Sequence, residues 1–295
     1  MSLKLQMLQV ATLAPRILGE STELVCGFIN NQLTPSGAFK NRAGEEDLYY
    51  TLFGLECKRA LQLSIDYEKT ESYLLNFGNG EALDLVHLCC LARAWSNINS
   101  STFNHELRSQ IALNIDAFKS LDDGYHLDKN QKHGTAYAAF MVLDAMQSLK
   151  LDISKQSSLI SSIQKAHCNE GGYSLQSGML IATTPTTAAA IVTLKYFNQD
   201  ISNDSTEWLK SMIHPQGGFR AAERVIVPDL LSTATALHSL SALNQNIENY
   251  REPCLDFIDS LWTNKGGFYG SWEDEYLDVE YLFYALLALG HLSVR

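Results

Sequence analysis

Basic residues are scarce and nowhere clustered: 22 Lys and Arg stand against 33 Asp and Glu, a formal charge of -11. Neutralising a phosphate backbone needs grouped cations, so this balance argues against a nucleic-acid surface. Long apolar runs are missing as well. No stretch reaches the roughly eighteen residues a membrane span requires. The segment from Met1 to Leu18 is broken by Gln6, Gln9 and Pro15 and has no small-residue cleavage site, so no signal peptide is read there. Cys26, Cys57, Cys89, Cys90, Cys168 and Cys254 form no C-x-x-C pair, and most lie in apolar runs where a thiol acts as a small hydrophobe. A reducing compartment, the cytoplasm, is the expected location. Convincing strand runs, low-complexity tracts and linkers rich in Pro, Gly or Ser are absent too.

What the sequence does contain is a repeat. Gly266, Gly267 and Phe268 precede Asp278 and the apolar run from Tyr281 to Leu289. The same grammar of glycine turn, aromatic, short loop and helix start recurs five times upstream. The earlier units are Gly37 and Phe39 with Asp47, Gly78 and Gly80 with Asp84, Gly124 and Tyr125 with Thr135, Gly171 to Tyr173 with Thr183, and Gly217 to Phe219 with Asp229. A period of roughly 43 to 49 residues is that of a supersecondary unit.

Helical spacing predicts a pair of helices in each unit. The first members run from Thr22 to Leu33, Tyr67 to Phe77, His105 to Lys119, Ser157 to His167, Ser205 to Ile213 and Tyr250 to Trp262. They carry a polar face, as at Glu106, Arg108 and Gln110. The second members run from Leu48 to Leu61, Asp84 to Trp95, Thr135 to Leu149, Thr186 to Tyr196, Asp229 to Leu243 and Asp278 to Leu292, and are apolar nearly all round. A helix without a polar face must be buried on every side. Six pairs of this kind predict an all-α protein of two concentric layers, with water-facing helices outside and apolar helices around a shared centre. Neither end has an obviously polar capping repeat, which favours a closed ring over an open solenoid. One domain over 1–295 is expected, with a short lead-in at about 1–20.

The glycine-aromatic turns, the acidic or Thr position about ten residues on, and the Thr-Ala-x-Ala runs beginning at Thr187 and Thr233 resemble the repeats of protein prenyltransferase β subunits and squalene-hopene-type terpene cyclases. In repeat pattern the chain is most similar to the β subunits of type II geranylgeranyl transferases. The resemblance extends over essentially the whole chain and implies a six-hairpin α-α toroid whose aromatic-lined central cavity accepts an isoprenoid. Tyr49, Tyr50, Phe53, His87, Tyr137, Phe140, Tyr281, Phe283 and Tyr284, near the starts of the inner helices, are the candidate lining. Aromatic faces offer apolar contact and stabilise positive charge on an allylic carbon; they equally fill the middle of any helical barrel.

Against the family pattern the chemistry departs. Prenyltransferases of this kind bind zinc through an Asp, a Cys two residues later and a His three residues after the corresponding Asp of the next unit. The matching positions here are Asp229, Leu231 and, after Asp278, Tyr281, so the zinc site is expected to be missing. Asp84 and His87 share a helical turn beside Cys89 and Cys90, but in a unit where the resemblance places no metal, and buried thiols beside a core His are the simpler reading. Arg220 and Arg224 stand displaced in the loop where the family cradles a diphosphate, with solvated loop charges as the alternative; magnesium could accompany such a ligand.

Cyclases of the superfamily protonate an alkene with an Asp-x-Asp-Asp acid leading into Thr-Ala, and that acid position is Leu231. Glu280, two residues after Asp278, is the substitute acid the sequence offers, its proton retained by burial. Asp278, Glu280 and Asp229 are therefore the candidate catalytic groups. Three functions stay open: an isoprenoid transferase or cyclase with a non-standard site, a non-catalytic binder of an apolar ligand, and a ring-shaped scaffold for a helical protein partner.

Overall fold

The computed structural model describes residues 1–153, 155–175 and 177–294. The chain opens with α1 (Leu3–Ala11) and the single turn α2 (Pro15–Leu18), and a 3-10 turn (Gly19–Ser21) leads into the first repeat. Six helix pairs follow: α3 (Thr22–Gln32) with α4 (Leu48–Ala60), α5 (Tyr67–Leu75) with α6 (Leu85–Trp95), and α7 (His105–Asp116) with α8 (Ala136–Leu149). After them come α9 (Gln156–Gln164) with α10 (Thr184–Tyr196), α11 (Asn203–Ser211) with α12 (Leu230–Ala242), and α13 (Glu248–Ser260) with α14 (Val279–Leu292). Every second member expected from the sequence is found within two residues of its predicted start.

The second members form the inner layer. Each packs on the next, from α4 through α6, α8, α10 and α12 to α14, and α14 packs back on α4, so the ring is closed. Burial follows: Thr184 and every residue from Thr186 to Leu194 on α10 is buried. The outer helices keep one wet face. On α7 only Ile111 and Ile115 are buried.

The glycine turns make the ring close. Gly217 has φ +89°, and a Cβ there would lie 1.8 Å from the Pro253 carbonyl oxygen of the next outer helix. At Gly266, φ +86°, a Cβ would lie 2.1 Å from the Leu24 carbonyl oxygen on α3, which carries the same contact from the last unit to the first. Backbone approach this tight leaves no room for a side chain.

The Thr of the Thr-Ala runs is a structural part of the same turn. Thr187 and Thr233 hydroxyls accept from the backbone N–H of Tyr173 and Phe219 at 2.8 and 2.9 Å. Thr51 does so for Phe39 at 2.9 Å. Thr51 and Thr233 also donate to the carbonyls of Asp47 and Asp229, pinning turn to helix start. Around them the chain folds back far enough to form two short antiparallel pairs that the sequence does not announce: β1 (Phe39–Lys40) with β2 (Glu46–Asp47), and β3 (Phe219–Arg220) with β4 (Pro228–Asp229).

The lead-in is not passive. Helix α1 packs beneath the ring on α14 and α4, with Leu3, Met7 and Ala11 buried. Its first N–H groups, which have no partner within the helix, donate instead to Gln147 Oε1 (Leu3, 2.8 Å) and Asp144 Oδ1 (Lys4, 3.1 Å). Gly290 lets the α1 backbone touch α14, since a Cβ there would lie 2.1 Å from the Val10 carbonyl oxygen. The ring is thereby covered at the C-terminal end of its inner helices and keeps its mouth at their N-terminal end.

Candidate active site in the ring centre

A cavity of about 280 Å³ occupies the centre, near the lower bound of the roughly 300–1,000 Å³ of small-molecule sites. Its lining falls into three tiers set by distance from the helix caps. Asp47, Thr135, Asp229 and Asp278 each accept a backbone N–H three residues on, fixing the first turns of α4, α8, α12 and α14. Two residues past those caps come Tyr49, Tyr137, Leu231 and Glu280, which form the rim. Five or six residues past them come Phe53, Phe140, Thr235, Phe283 and Tyr284, the waist. Nine residues past a cap come Arg93, measured from Asp84, His238 and Leu287, which with Met7 of α1 make the floor.

At the rim, Glu280 is the one carboxylate among the described lining residues. Burial pushes its pKa from 4.5 up to about 7, while a 2.6 Å hydrogen bond donated by the Tyr49 hydroxyl to Oε1 pulls the other way. Glu280 is thus substantially protonated at neutral pH. The phenols beside it stay neutral: burial drives Tyr137 up to about 12 and raises Tyr49 and Tyr284 as well. The waist is an aromatic belt, with Phe53 5.0 Å from Tyr49, 5.7 Å from Phe283 and 5.7 Å from Tyr284 between ring centroids.

The floor is polar. Arg93 donates through Nη2 to both oxygens of Glu56 at 2.9 Å, and its Nε stands 2.9 Å from Asp144 Oδ2, an ion pair short of hydrogen-bond alignment. Lys4 enters from below and donates to Ser96 Oγ at 2.7 Å; burial lowers its pKa to about 8. Opposite, His238 and His291 share a contact of 3.0 Å between Nδ1 and Nε2, and burial lowers their pKa values to about 4 and about 3.

Of the residues proposed from sequence, Tyr49, Phe53, Tyr137, Phe140, Glu280, Phe283 and Tyr284 meet in this cavity. Seven others lie elsewhere. Asp229 and Asp278 are caps with both carboxylate oxygens engaged, the first by Ser232 N and Oγ, the second by Tyr281 N and Arg42 Nε. Asp278 is 1% exposed, yet it does not line the cavity. Tyr50 packs edge-on against Tyr49 outside the lining, and Tyr281 lies under the Arg42 guanidinium at 5.3 Å. Arg220 folds back onto its own loop and the end of α11, donating to the Glu223 and Ser211 carbonyls, and Arg224 is exposed.

The last of the seven is His87. It points outward and pairs with Asp84 at 2.8 Å, whereas Cys89 and Cys90 are buried thiols whose pKa burial raises. The donor set at the family's zinc position does not fit that metal: both Asp229 oxygens are committed, Leu231 offers no donor atom and Tyr281 is held under Arg42. Met7, Arg93 and His238 are lining residues that the sequence reading passed over. A count of nine from the caps would have found the last two.

Two overlapping stretches, 110–207 and 197–294, match the model of the prenyltransferase alpha-alpha toroid domain. No curated protein sequence matches the chain. Among solved structures, the apo type II terpene cyclase MstE from Scytonema superposes with TM-score 0.65 at 12% identity, covering 94% of this chain and 97% of that one. A variant of that enzyme bound to its substrate geranylgeranyl dihydroxybenzoate gives 0.67 at 12% identity, with 95% and 98% covered. A glycosidase gives 0.55 at 11% identity, with 96% of each chain covered. At these identities the likeness is one of fold, and the glycosidase marks how different the chemistries on that fold are. The matched stretches span more than half of the sequence, and the chain belongs to the prenyltransferase alpha-alpha toroid domain family.

Proposed function

We propose that the cavity takes up an isoprenoid chain and that Glu280 protonates one of its double bonds, making the protein a proton-initiated cyclase. The observation that carries this reading is a buried carboxyl at the rim of an aromatic cavity, its pKa pushed up to about 7 by burial. The proton moves from Glu280 to the less substituted alkene carbon and leaves a tertiary cation. Tyr49, already donating to Oε1, stabilises the carboxylate that remains. Phe53, Phe140, Phe283 and Tyr284 line the path of the advancing positive charge, which aromatic rings stabilise.

The head group of this ligand is uncharged. Arg93, the guanidinium among the described lining residues, is committed to two carboxylates, and Arg220 and Arg224 lie off the cavity. Among the described lining residues a diphosphate would find no free cation. This reading favours a terpenoid over a prenyl diphosphate, and cyclase over transferase chemistry.

The test is incubation with geranylgeraniol, and in parallel its uncharged acetate ester, in deuterium oxide. A cyclised isomer carrying one deuterium on carbon, formed by the native protein and lost in Glu280→Gln, is the expected result. Conversion undiminished in Glu280→Gln, or recovery of both compounds unchanged from the native protein, overturns the proposal.

A further inference from the structure

Cyclisation begun by a proton must return one, and the acid at the rim is poorly placed to take it back. The cation migrates away from Glu280 as rings form. From Leu231 at the rim to His238 at the floor is seven residues of one helix, about 10 Å at the α-helical rise. The floor therefore needs its own acceptor. Among the described residues lining the cavity, His238 is the uncharged nitrogen base.

We propose that His238 is the terminating base of this site, and that His291 behind it carries the proton out of the cavity. The inference rests on the cyclase reading above. His238 lines the cavity, and its Nδ1 is occupied by His291 at 3.0 Å, which leaves Nε2 as the ring nitrogen without a hydrogen-bond partner among the described residues. In the active tautomer, His238 Nδ1–H donates to His291 Nε2 and His238 Nε2 presents a lone pair to the cavity.

The step balances. A C–H bond next to the cationic carbon breaks, its electron pair becomes the new C=C bond, and the proton bonds to His238 Nε2. The Nδ1 proton then passes to His291 Nε2, and His291 releases its own Nδ1 proton at the lower face. One proton has entered at Glu280 and one has left at His291, so the product is an isomer of the substrate.

Burial supports the same roles. Both imidazoles are held neutral well below pH 7, so the pair meets the cation as a base. His291 sits in the last turn of α14, where the negative end of the helix favours a transient positive charge. On the other side of the floor Arg93 is tied to Glu56 and Asp144 and has no lone pair to offer. In this arrangement His238 is the catalytic residue and His291 a positioning residue that fixes the tautomer.

A cation mimic separates this inference from the reading beneath it. The probes are N,N-dimethylgeranylgeranylamine, whose protonated nitrogen stands for the late cation, and geranylgeraniol as its uncharged counterpart. Both are titrated calorimetrically into Glu280→Gln, so that the rim carboxylate does not compete for the ammonium, and then into that variant carrying His238→Leu or His238→Asn.

Preference for amine over alcohol, as the ratio of Kd values, should fall about tenfold or more in His238→Leu, which corresponds to about 1.4 kcal/mol. His238→Asn keeps an acceptor and should recover part of it. His291→Leu should give an intermediate loss, and imidazole ¹⁵N shifts should report the change of tautomer at His238. Alcohol binding reports that the cavity of each variant is intact. An amine preference that survives both His238 substitutions overturns the inference and leaves the cyclase reading standing. Failure of either probe to bind the parent variant or the native protein overturns both.

Discussion

Helices α12 and α14 are consecutive inner members with the same beginning and different interiors. Each opens on an aspartate that accepts the backbone N–H three residues on, Asp229 at 2.7 Å from Ser232 and Asp278 at 2.9 Å from Tyr281. Counting inward from the cap, α12 presents Leu231, Thr235 and His238 to the cavity where α14 presents Glu280, Tyr284 and Leu287. The acid that is missing at the rim of α12 stands one repeat further on, and the base that is missing at the floor of α14 stands one repeat back. Equivalent scaffold positions thus carry complementary chemistry. The aspartates common to both helices belong to the scaffold, and the residues that differ belong to the site.

The sharpest break in this comparison is removal of the acid. Glu280→Gln keeps shape and hydrogen bonding but has no proton to give at neutral pH, and the rate of deuterium incorporation should fall about 10²–10⁴-fold. Moving the acid back, in Glu280→Leu with Leu231→Glu, should restore measurable turnover with an altered product pattern if the two positions are interchangeable across the repeat. Product analysis by mass spectrometry checks both.

The next effect is on stability, and its sign is opposite to that on activity. Glu280 titrates at about 7 in the folded chain against 4.5 as the ordinary value. A folded value above the unfolded one means the native state holds the proton longer. The stability this contributes is complete below pH 4.5 and is lost as pH rises through 7. That gap corresponds to about 3 kcal/mol. Glu280→Gln should therefore be more stable than the native chain at pH 8, by up to that amount, and no more stable at pH 4. Denaturant melts at the two pH values read the difference directly.

How far the site was legible follows from the same register. The toroid was readable because its signals are backbone signals: the glycines permit contact with the next unit, as at Gly217 and Pro253, and Thr187 and Thr233 hold the turn to the helix. Which side of an inner helix faces the cavity was harder. These helices are apolar all round, so no polar stripe shows their orientation. Tyr50, His87 and Tyr281, taken from sequence as lining, all sit three residues past a cap, where the chain turns the side chain away. Their neighbours Tyr49 and Glu280, one residue earlier, face in. The floor was hidden for a different reason. Met7 belongs to a helix that gains its place only by long-range contact with Asp144, Gln147 and Gly290, and no local pattern announces that.

Tuning the acid gives a smaller effect than removing it. The Tyr49 hydroxyl donates to Glu280 Oε1 and so favours the ionised form. Tyr49→Phe removes a hydrogen bond to a charged group and should raise the Glu280 pKa by roughly one pH unit. Turnover falls as pH rises through the pKa of a required acid, so the descending limb of the pH profile should move upward by that amount in Tyr49→Phe. A limb that stays in place would assign the acid to another group.

The smallest effect tests the common feature of the two helices. Asp229 occupies the position that the resemblance gives to a zinc-binding aspartate, yet here its two oxygens serve Ser232 N and Oγ. Asp229→Ala should cost about 1 kcal/mol, the ordinary value of a helix cap. It should leave the pH dependence where Glu280 sets it. Asp278→Ala removes the same cap and also releases the Arg42 guanidinium, whose Nε it accepts at 2.7 Å, so its cost should exceed that of Asp229→Ala even though Asp274 still holds the other edge of the guanidinium. Equal costs would mean that the Arg42 pair adds nothing to joining the first repeat to the last. A pH profile displaced by Asp229→Ala would return that aspartate to the chemistry from which its hydrogen bonds remove it.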